Sequence, residues 1–340
     1  MTVTIKQIAE LANVSRGTVD KVLNNRPGVK PATQEKVLRI AKELNYHPNL
    51  LGKALVQSKN PLKFGIILTA DYNPYIQELL SGIQKAQQEF KPFGLEIITK
   101  MLTTIEPAEQ LAIMNELVNQ NVTGMAVFPI DDPQVISRVN QLAAGNTAVV
   151  TFNSKVNDIH SLCFIGQNHY KGGRTAAELM RKLIRGQKKI GVIVSSRKLS
   201  CHQDRLQGFI DQFTENQDTF EIVEVRENQD RKEEAFCIAL EYCNRYPDLD
   251  AIYITGGGVA GVGSALDIAG MAGKVRVICH DLTPDSIRLL KKDTVDFILG
   301  QNPVEQGYQL IKVLFEYCMK NITPPEEIEI PITISVKESL

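Results

Sequence analysis

Two groups of residues in this chain have types and spacings that could do chemistry. The first is the stretch NVSRGTVDKVLNN, Asn13 to Asn25. Read as a helix, it puts Val19, Val22 and Leu23 on one face and Arg16, Gly17, Asp20 and Lys21 on the other. An arginine at a helix start, with a lysine further along the same face, suits hydrogen bonding to a polyanion; it also suits plain solvation. The second group is the glycine run YITGGGVAGVG. There Gly256, Gly258 and Gly261 satisfy G-x-G-x-x-G directly after a β-rich run, and Asp281 ends the next such run, a pattern that could cradle a dinucleotide.

Other chemistries find little support. The six cysteines at 163, 201, 237, 243, 279 and 318 form no C-x-x-C pair and have no histidine at zinc-ligand spacing. They read as reduced small hydrophobes, and no metal or cofactor is expected. No Ser/His/Asp set, P-loop or carboxylate pair stands out, so no catalytic residue is assigned. The glycine fingerprint itself comes late in its region, whereas a dinucleotide turn is ordinarily the first of its sheet. Cys279 and His280 beside it read as packing at a strand end.

The elements that position the first group are three short helices. Thr4-Ile-Lys-Gln7 is a capping-box pattern. It opens a helix with Ile5, Ile8, Ala9 and Ala12 on one face. Asn13 and Val14 break that helix, and Ser15 caps a second one from Arg16 to about Asn24. Pro31 suits the first turn of a third, ending near Asn45, with Val37, Ile40, Ala41 and Leu44 as its apolar face. Two short helices across a tight turn fit a helix-turn-helix.

Charge is divided along the chain in the same way. Residues 1–60 hold ten Lys/Arg against four Asp/Glu, a balance of +6, and the remainder holds 28 against 35, a balance of −7. A basic short unit on an acidic body is the layout expected when one end meets a polyanion. The N-terminus lacks the basic and apolar regions of a secretory signal, and no run is long enough to span a membrane. The expected location is therefore the cytoplasm, with no membrane partner.

The stretch TIKQIAELANVSRGTVDKVLNNRPGVKPATQEKVLRIAKELNYHPNLLGKAL, from Thr4 to Leu55, resembles the DNA-binding headpiece of the lactose-repressor (LacI/GalR) family. The likeness runs through V-S-x-x-T-V-x-x-V-L-N, E-K-V and E-L-x-Y-x-P-N. It implies that the second helix enters the major groove, with Arg16, Gly17 and Lys21 facing base edges. Arg16 can be bidentate to a guanine, and Lys21 can reach a guanine or a phosphate. Gly17 either abandons a base contact or makes room for Arg16. Ser15, Thr18, Asn24 and Thr33 suit phosphate contacts, and Thr4, Tyr46 and Asn49 complete the DNA-binding set. His47 to Pro61 resembles the family's hinge, with Leu55 as the apolar wedge for the minor groove. Two departures stand out: Asp20 replaces a small hydroxyl residue, and Lys30 stands where a capping serine is common. Asp20 implies either an operator preference of its own or a local charge pair.

From Leu62 onward, short β-rich runs alternate with helical stretches such as Tyr75–Phe90, Glu106–Gln120 and Gly172–Ile184. Crossover helices between strands imply parallel sheets. About ten strands suggest two α/β lobes. NPY, GQNHYKGGRTAAELM, DRLQGF, DLTPDS and GQNP resemble the periplasmic sugar-binding fold, in its ribose-binding branch. The resemblance implies an effector cleft at the strand carboxyl ends, lined by Asn73, Tyr75, Asn153, Arg205, Gly256, Asp281 and Gln301. At position 256 relatives often carry Asn or Asp, and glycine there suggests space for a bulkier or differently substituted effector.

The expected organisation is a helix-turn-helix headpiece at 1–47, a hinge helix and linker at 48–61, and an effector-binding and dimerisation domain at 62–340. The latter divides into an N-lobe of about 62–167 and 299–325 and a C-lobe of about 168–298 and 326–340. The whole reads as a homodimeric regulator that binds double-stranded operator DNA of pseudo-palindromic sequence, with a monosaccharide or derivative as effector. The resemblance implies repression of carbohydrate-utilisation genes and leaves the sign of the effector open. A C-terminus without a leucine heptad, PPEEIEIPITISVKESL, favours dimer over tetramer. The rival readings are a sugar-binding protein without a DNA role and an NAD-dependent enzyme. The first lacks the signal it would need and leaves the basic headpiece idle.

Overall fold

The computed structural model describes residues 3–23, 27–44, 46, 61–69, 73–184, 186, 188–217 and 219–340. Its first three helices are α1 (Ile5–Ala12), α2 (Arg16–Leu23) and α3 (Pro31–Glu43). The capping box at α1 is formed: Gln7 N donates to Thr4 Oγ1 at 3.4 Å and Thr4 N donates to Gln7 Oε1 at 2.8 Å. Asn13 closes the helix in the left-handed region at φ 55°. Ser15 caps α2, accepting from Thr18 N at 3.0 Å. Lys30 offers α3 no side-chain cap, and α3 stops two residues short of Asn45. Ile8, Ala9, Ala12, Val19, Val22, Val37, Ile40 and Ala41 form the buried core of this unit, with Ile5, Leu23 and Leu44 half-buried at its edge.

Among the described residues the body holds two six-stranded sheets. The first comprises β1 (Leu62–Leu68), β2 (Leu95–Met101), β3 (Gly124–Val127), β4 (Ala148–Phe152), β5 (Cys163–Gly166) and β11 (Glu327–Glu329). Their order is β11-β5-β4-β3-β1-β2, all parallel. The second sheet contains β6 (Lys188–Val194), β7 (Phe220–Glu227), β8 (Ala251–Ile254), β9 (Arg276–His280), β10 (Phe297–Gly300) and β12 (Thr333–Ser335). Its order is β12-β10-β9-β8-β6-β7, with only β12 antiparallel. Central strands such as β3 and β4 are buried almost throughout, as helices on both faces of a parallel sheet require.

Four helices pack with the first sheet: α4 (Pro74–Phe90), α5 (Pro107–Asn119), α6 (Pro133–Ala143) and α12 (Pro303–Lys320). The second carries α7 (His169–Leu183), α8 (Ser200–Glu215), α9 (Lys232–Arg245), α10 (Val259–Ile268) and α11 (Pro284–Lys291). The chain crosses between sheets after β5, after β10 and after β11.

The last two crossings differ from the sequence expectation. β10 lies wholly in the second sheet, so residues 299 and 300 leave the N-lobe. β11 lies in the first sheet, so residues 326–329 leave the C-lobe: Glu327–Glu329 pair in register with Phe164–Gly166. Ile330 N still donates to Gly166 O at 2.7 Å, and then Pro331, without an N–H, ends the ladder and releases the chain towards β10. Among the described residues twelve strands form, where the sequence suggests about ten. β7 is amphipathic and half-exposed, and β11 and β12 have three residues each.

Each lobe contains a helix pair in backbone contact through glycine. At the crossing of α7 and α8, a Cβ on Gly173 would lie 1.9 Å from Arg205 O. At that of α4 and α12, a Cβ on Gly82 would lie 1.9 Å from Val304 O. Neither obstacle is a side chain that could swing away. Gly173→Ala is therefore expected to cost about 3 kcal/mol, the upper end for overpacking, read as a fall in Tm. Gly17→Ala, whose Cβ would meet only Ser15 Oγ at 3.7 Å, should not lower Tm, since alanine is favoured over glycine in a helix. Equal Tm values for the two variants would show that the helices can separate.

Candidate functional site

The carboxyl ends of both sheets face a common cleft. Asn153 follows β4 and Asp281 follows β9, both in the left-handed region at φ 59° and φ 69°. Gln301 follows β10, and Gly256 lies just beyond β8. Asn73 caps α4 by accepting from Tyr75 N at 2.9 Å. Arg205 projects from α8 and is 2% exposed.

Hydrogen bonds join several of these residues. Gln301 Nε2 donates to Asp281 Oδ1 at 2.7 Å. Gln306 Nε2 donates to Gln301 O at 2.7 Å, and Tyr75 OH donates to Gln306 Oε1 at 3.0 Å. Arg205 Nη1 donates to Thr255 O at 2.6 Å. Burial raises the Asp281 carboxyl above its usual range, while Arg205 and the bond from Gln301 pull the other way. Burial, and then the Asp281 charge, raise the Tyr75 phenol well above its ordinary value. These groups therefore share one electrostatic neighbourhood.

Ten buried side-chain atoms find no hydrogen-bond partner among the described residues, and all but Arg138 Nε belong to this region. They are Asn153 Oδ1, Gln167 Oε1, His169 Nδ1, Ser195 Oγ, Arg205 Nε and Nη2, Asn228 Oδ1, His280 Nδ1 and Gln301 Oε1. Buried polar groups are almost always paired, so such a cluster marks a place built to receive polar atoms from outside. A cavity of about 570 Å³ opens beside it, lined by Asn73, Asp230, Gly256, Gly257, His280 and Asp281 among others.

Three buried histidines around the cleft, two of them in this cluster, escaped the sequence reading as site residues. Burial, then the Arg205 charge, hold His169 and His280 well below the ordinary imidazole value. Burial likewise lowers His202 against the pull of Asp230. His169 is thus neutral, and its Nε2 donates to Asn153 O at 2.8 Å, leaving Nδ1 as an acceptor. His280 is packed, as expected, with Nε2 2.9 Å from the Tyr253 hydroxyl. It also lines the cavity. Asp230 was missed as well. Its carboxylate accepts from Asn73 Nδ2 at 2.8 Å and from Gly257 N at 2.7 Å, linking the lobes.

The space expected at Gly256 is already filled. A Cβ there would lie 2.7 Å from His202 Cε1, 2.8 Å from Asp230 Oδ1 and 2.9 Å from Ser195 Cβ. Glycine at this point makes room for the protein's own side chains. The same geometry explains the dinucleotide pattern. Gly258, at φ 98°, begins α10, and a Cβ on Gly261 would lie 1.9 Å from Lys232 O of α9. The Gly257 N–H, which a pyrophosphate would need, is taken by Asp230.

In the helical unit, Ser15, Arg16, Gly17 and Lys21 are exposed along one side, and Thr4 is exposed at its cap. Thr18 and Thr33 are half-buried, and the Thr18 hydroxyl lies 2.9 Å from Ser15 Oγ. Tyr46 is half-buried, with its phenol raised by burial and by the nearby Asp20 charge. Asn24, Asn49 and Leu55 lie outside the described residues.

Two parallel α/β lobes around a polar cleft, preceded by a helix-turn-helix unit, define a ligand-binding fold joined to a DNA-binding type of domain. The chain belongs to the periplasmic binding protein domain family, whose model matches residues 64–321. Residues 4–49 match the model of bacterial regulatory proteins of the lacI family. Over 215 residues it is 28% identical to the HTH-type transcriptional regulator MalR of Streptococcus pneumoniae, covering 62% of each chain. It is 31% identical over 209 residues to the ribose operon repressor of Haemophilus influenzae, covering 61% of this chain and 59% of the relative. These matches thus span less than two thirds of the relatives' length. A solute-binding protein of Burkholderia graminis in complex with D-arabinose shares the fold with a TM-score of 0.76 at 21% identity, over 82% of this chain and 96% of that one.

Proposed function

We propose that the protein is a sequence-specific transcriptional repressor of carbohydrate-utilisation genes, controlled by a sugar-like effector in the interlobe cleft. The observation that carries this reading is the joining, in one chain, of an exposed Arg16–Lys21 helix face to a cleft rich in unpartnered buried polar atoms. The relatives' names point the same way.

In this reading Arg16 and Lys21 meet base edges or phosphates of a pseudo-palindromic operator in the cytoplasm. A homodimer presents two such faces to half-sites about one helical turn apart. Asn153, Arg205, Asp281 and Gln301 meet the effector's hydroxyls from the strand ends, and Asn73 and Tyr75 approach from α4. Effector and DNA are coupled only through the effector's differential affinity for the lobe arrangements, and the coupling is reciprocal. No step of this reading uses covalent chemistry.

Deleting residues 1–60 tests the division of labour. Operator binding, measured on duplexes selected from a random pool by the full chain, should disappear. Stabilisation by a panel of pentoses, hexoses, polyols and sugar phosphates should match that of the full chain. Operator binding by the deleted form would sink the reading.

A further inference from the structure

We propose that Asp230 supplies a second carboxylate to the effector pocket and sets its charge preference. The site then takes an uncharged or amine-bearing polyol and rejects the phosphorylated or acidic form of the same sugar. This rests on the sugar-effector reading above and goes beyond it by naming the ligand's charge class and the residue that selects it.

Asp230 stands on the turn between β7 and α9, where Gln229 and Asp230 both adopt left-handed backbone at φ 51° and φ 57°. Asn228 holds this turn in place: its Nδ2 donates to Arg231 O at 3.3 Å and to Gly257 O at 2.8 Å. The carboxylate is oriented from both lobes by Asn73 Nδ2 and Gly257 N. It also depends on glycine at 256, since a Cβ there would lie 2.8 Å from Asp230 Oδ1. Both of its donors are neutral groups, and no ion pair to Asp230 occurs among the described residues. Arg205, the buried cation nearby, acts on Asp281 and brings two unpartnered N–H donors, Nε and Nη2, to the same cleft, so Asp281 and Asp230 together set two carboxyl groups against one guanidinium.

The unpartnered atoms give an independent indication. His280 is 2% exposed, lines the same cavity and has Nδ1 unpartnered. Asn153 Oδ1, Asn228 Oδ1, Gln301 Oε1 and His169 Nδ1 are unpartnered acceptors. Acceptors need donors. Hydroxyl and ammonium groups donate, whereas a phosphate dianion or a carboxylate only accepts. A phosphate or carboxylate group placed beside Asp230 would meet a like charge and give the acceptors there no donor, whereas a hydroxyl or ammonium group would pair with them.

Calorimetric titration of the full chain with three matched sets tests the proposal: D-ribose against its phosphate ester, D-glucose against glucuronate, and D-glucose against glucosamine. In the first two sets the wild type should favour the neutral sugar over its anionic counterpart by at least about tenfold, and in the third it should bind glucosamine at least as tightly as glucose. Asp230→Asn and Asp230→Ser should narrow that gap, and Asp230→Glu should keep it; two neutral variants allow for one that does not fold. An anionic member bound as tightly as its parent would overturn the proposal and leave the sugar reading standing. A gap unchanged in the folded neutral variants would overturn the role of Asp230. Binding of none of the sugars would remove both the sugar reading and this proposal.

Discussion

Arg205→Met is expected to weaken effector binding by far more than it changes the stability of the unliganded protein. The guanidinium is 2% exposed, donates from Nη1 to Thr255 O, and has Nε and Nη2 unpartnered among the described residues. A buried cation with a bare edge opposes folding, because the hydration it lost is only partly replaced. Methionine fills a similar volume and gives up one hydrogen bond, a loss of about 1 kcal/mol. With effector present the bare edge would carry charge-assisted bonds to it. Truncating one partner of such a buried pair costs about 2–5 kcal/mol, so affinity should fall by on the order of a hundredfold or more. Titration and thermal denaturation of both proteins read the two effects separately. A large drop in unliganded Tm with affinity retained would make Arg205 a structural residue and remove it from the site.

The second large effect belongs to the helical unit. Arg16→Ala should weaken binding to the selected operator by about 1–3 kcal/mol and relax the preference at one base position in each half-site. The side chain is exposed at the start of α2, so the fold should not suffer. Lys21→Ala separates the two roles open to that residue. Contact with a phosphate predicts uniform weakening on all sequences, with the slope of log affinity against log salt reduced by about 1. Contact with a guanine predicts loss at one base position. Titrations on operator and scrambled duplexes at several salt concentrations distinguish them. If Arg16→Ala weakened both duplexes equally, Arg16 would be a backbone contact.

Much of this was legible because the signals are local. Thr4 with Gln7, Ser15, Pro31 and the apolar spacing of Ile8, Val19 and Val37 each specify a helix end or face within a few residues. They predicted α1, α2 and α3 closely. The parallel sheets followed from alternating runs, and the strand ends pointed to Asn153, Asp281 and Gln301. What stayed hidden depends on contacts between distant segments. Asp230 reaches the cleft only because β7 lies at the edge beside β6, and because Gln229 and Asp230 take a backbone conformation that their residue types do not announce. The same limit produced the misreading at Gly256. Sequence shows a missing side chain, but not that His202 and Asp230 converge on the space it leaves. The third crossing was misplaced because β11 and β12 offer three residues each, too few to show a periodicity.

The return of α12 and β11 to the first sheet has a consequence for how the chain is made. Phe90 of α4 stacks on Phe315 of α12 with ring centroids 4.3 Å apart, yet the entire stretch from β6 to β10 must leave the ribosome between them. Domains made in sequence ordinarily fold from the N-terminal end. Here the later sheet has five of its six strands by residue 300, when the earlier one still lacks both an edge strand and a covering helix. The lobe synthesised first is therefore completed after most of its successor is in place. Until then, its unclosed apolar face is the nascent chain's principal hazard for aggregation.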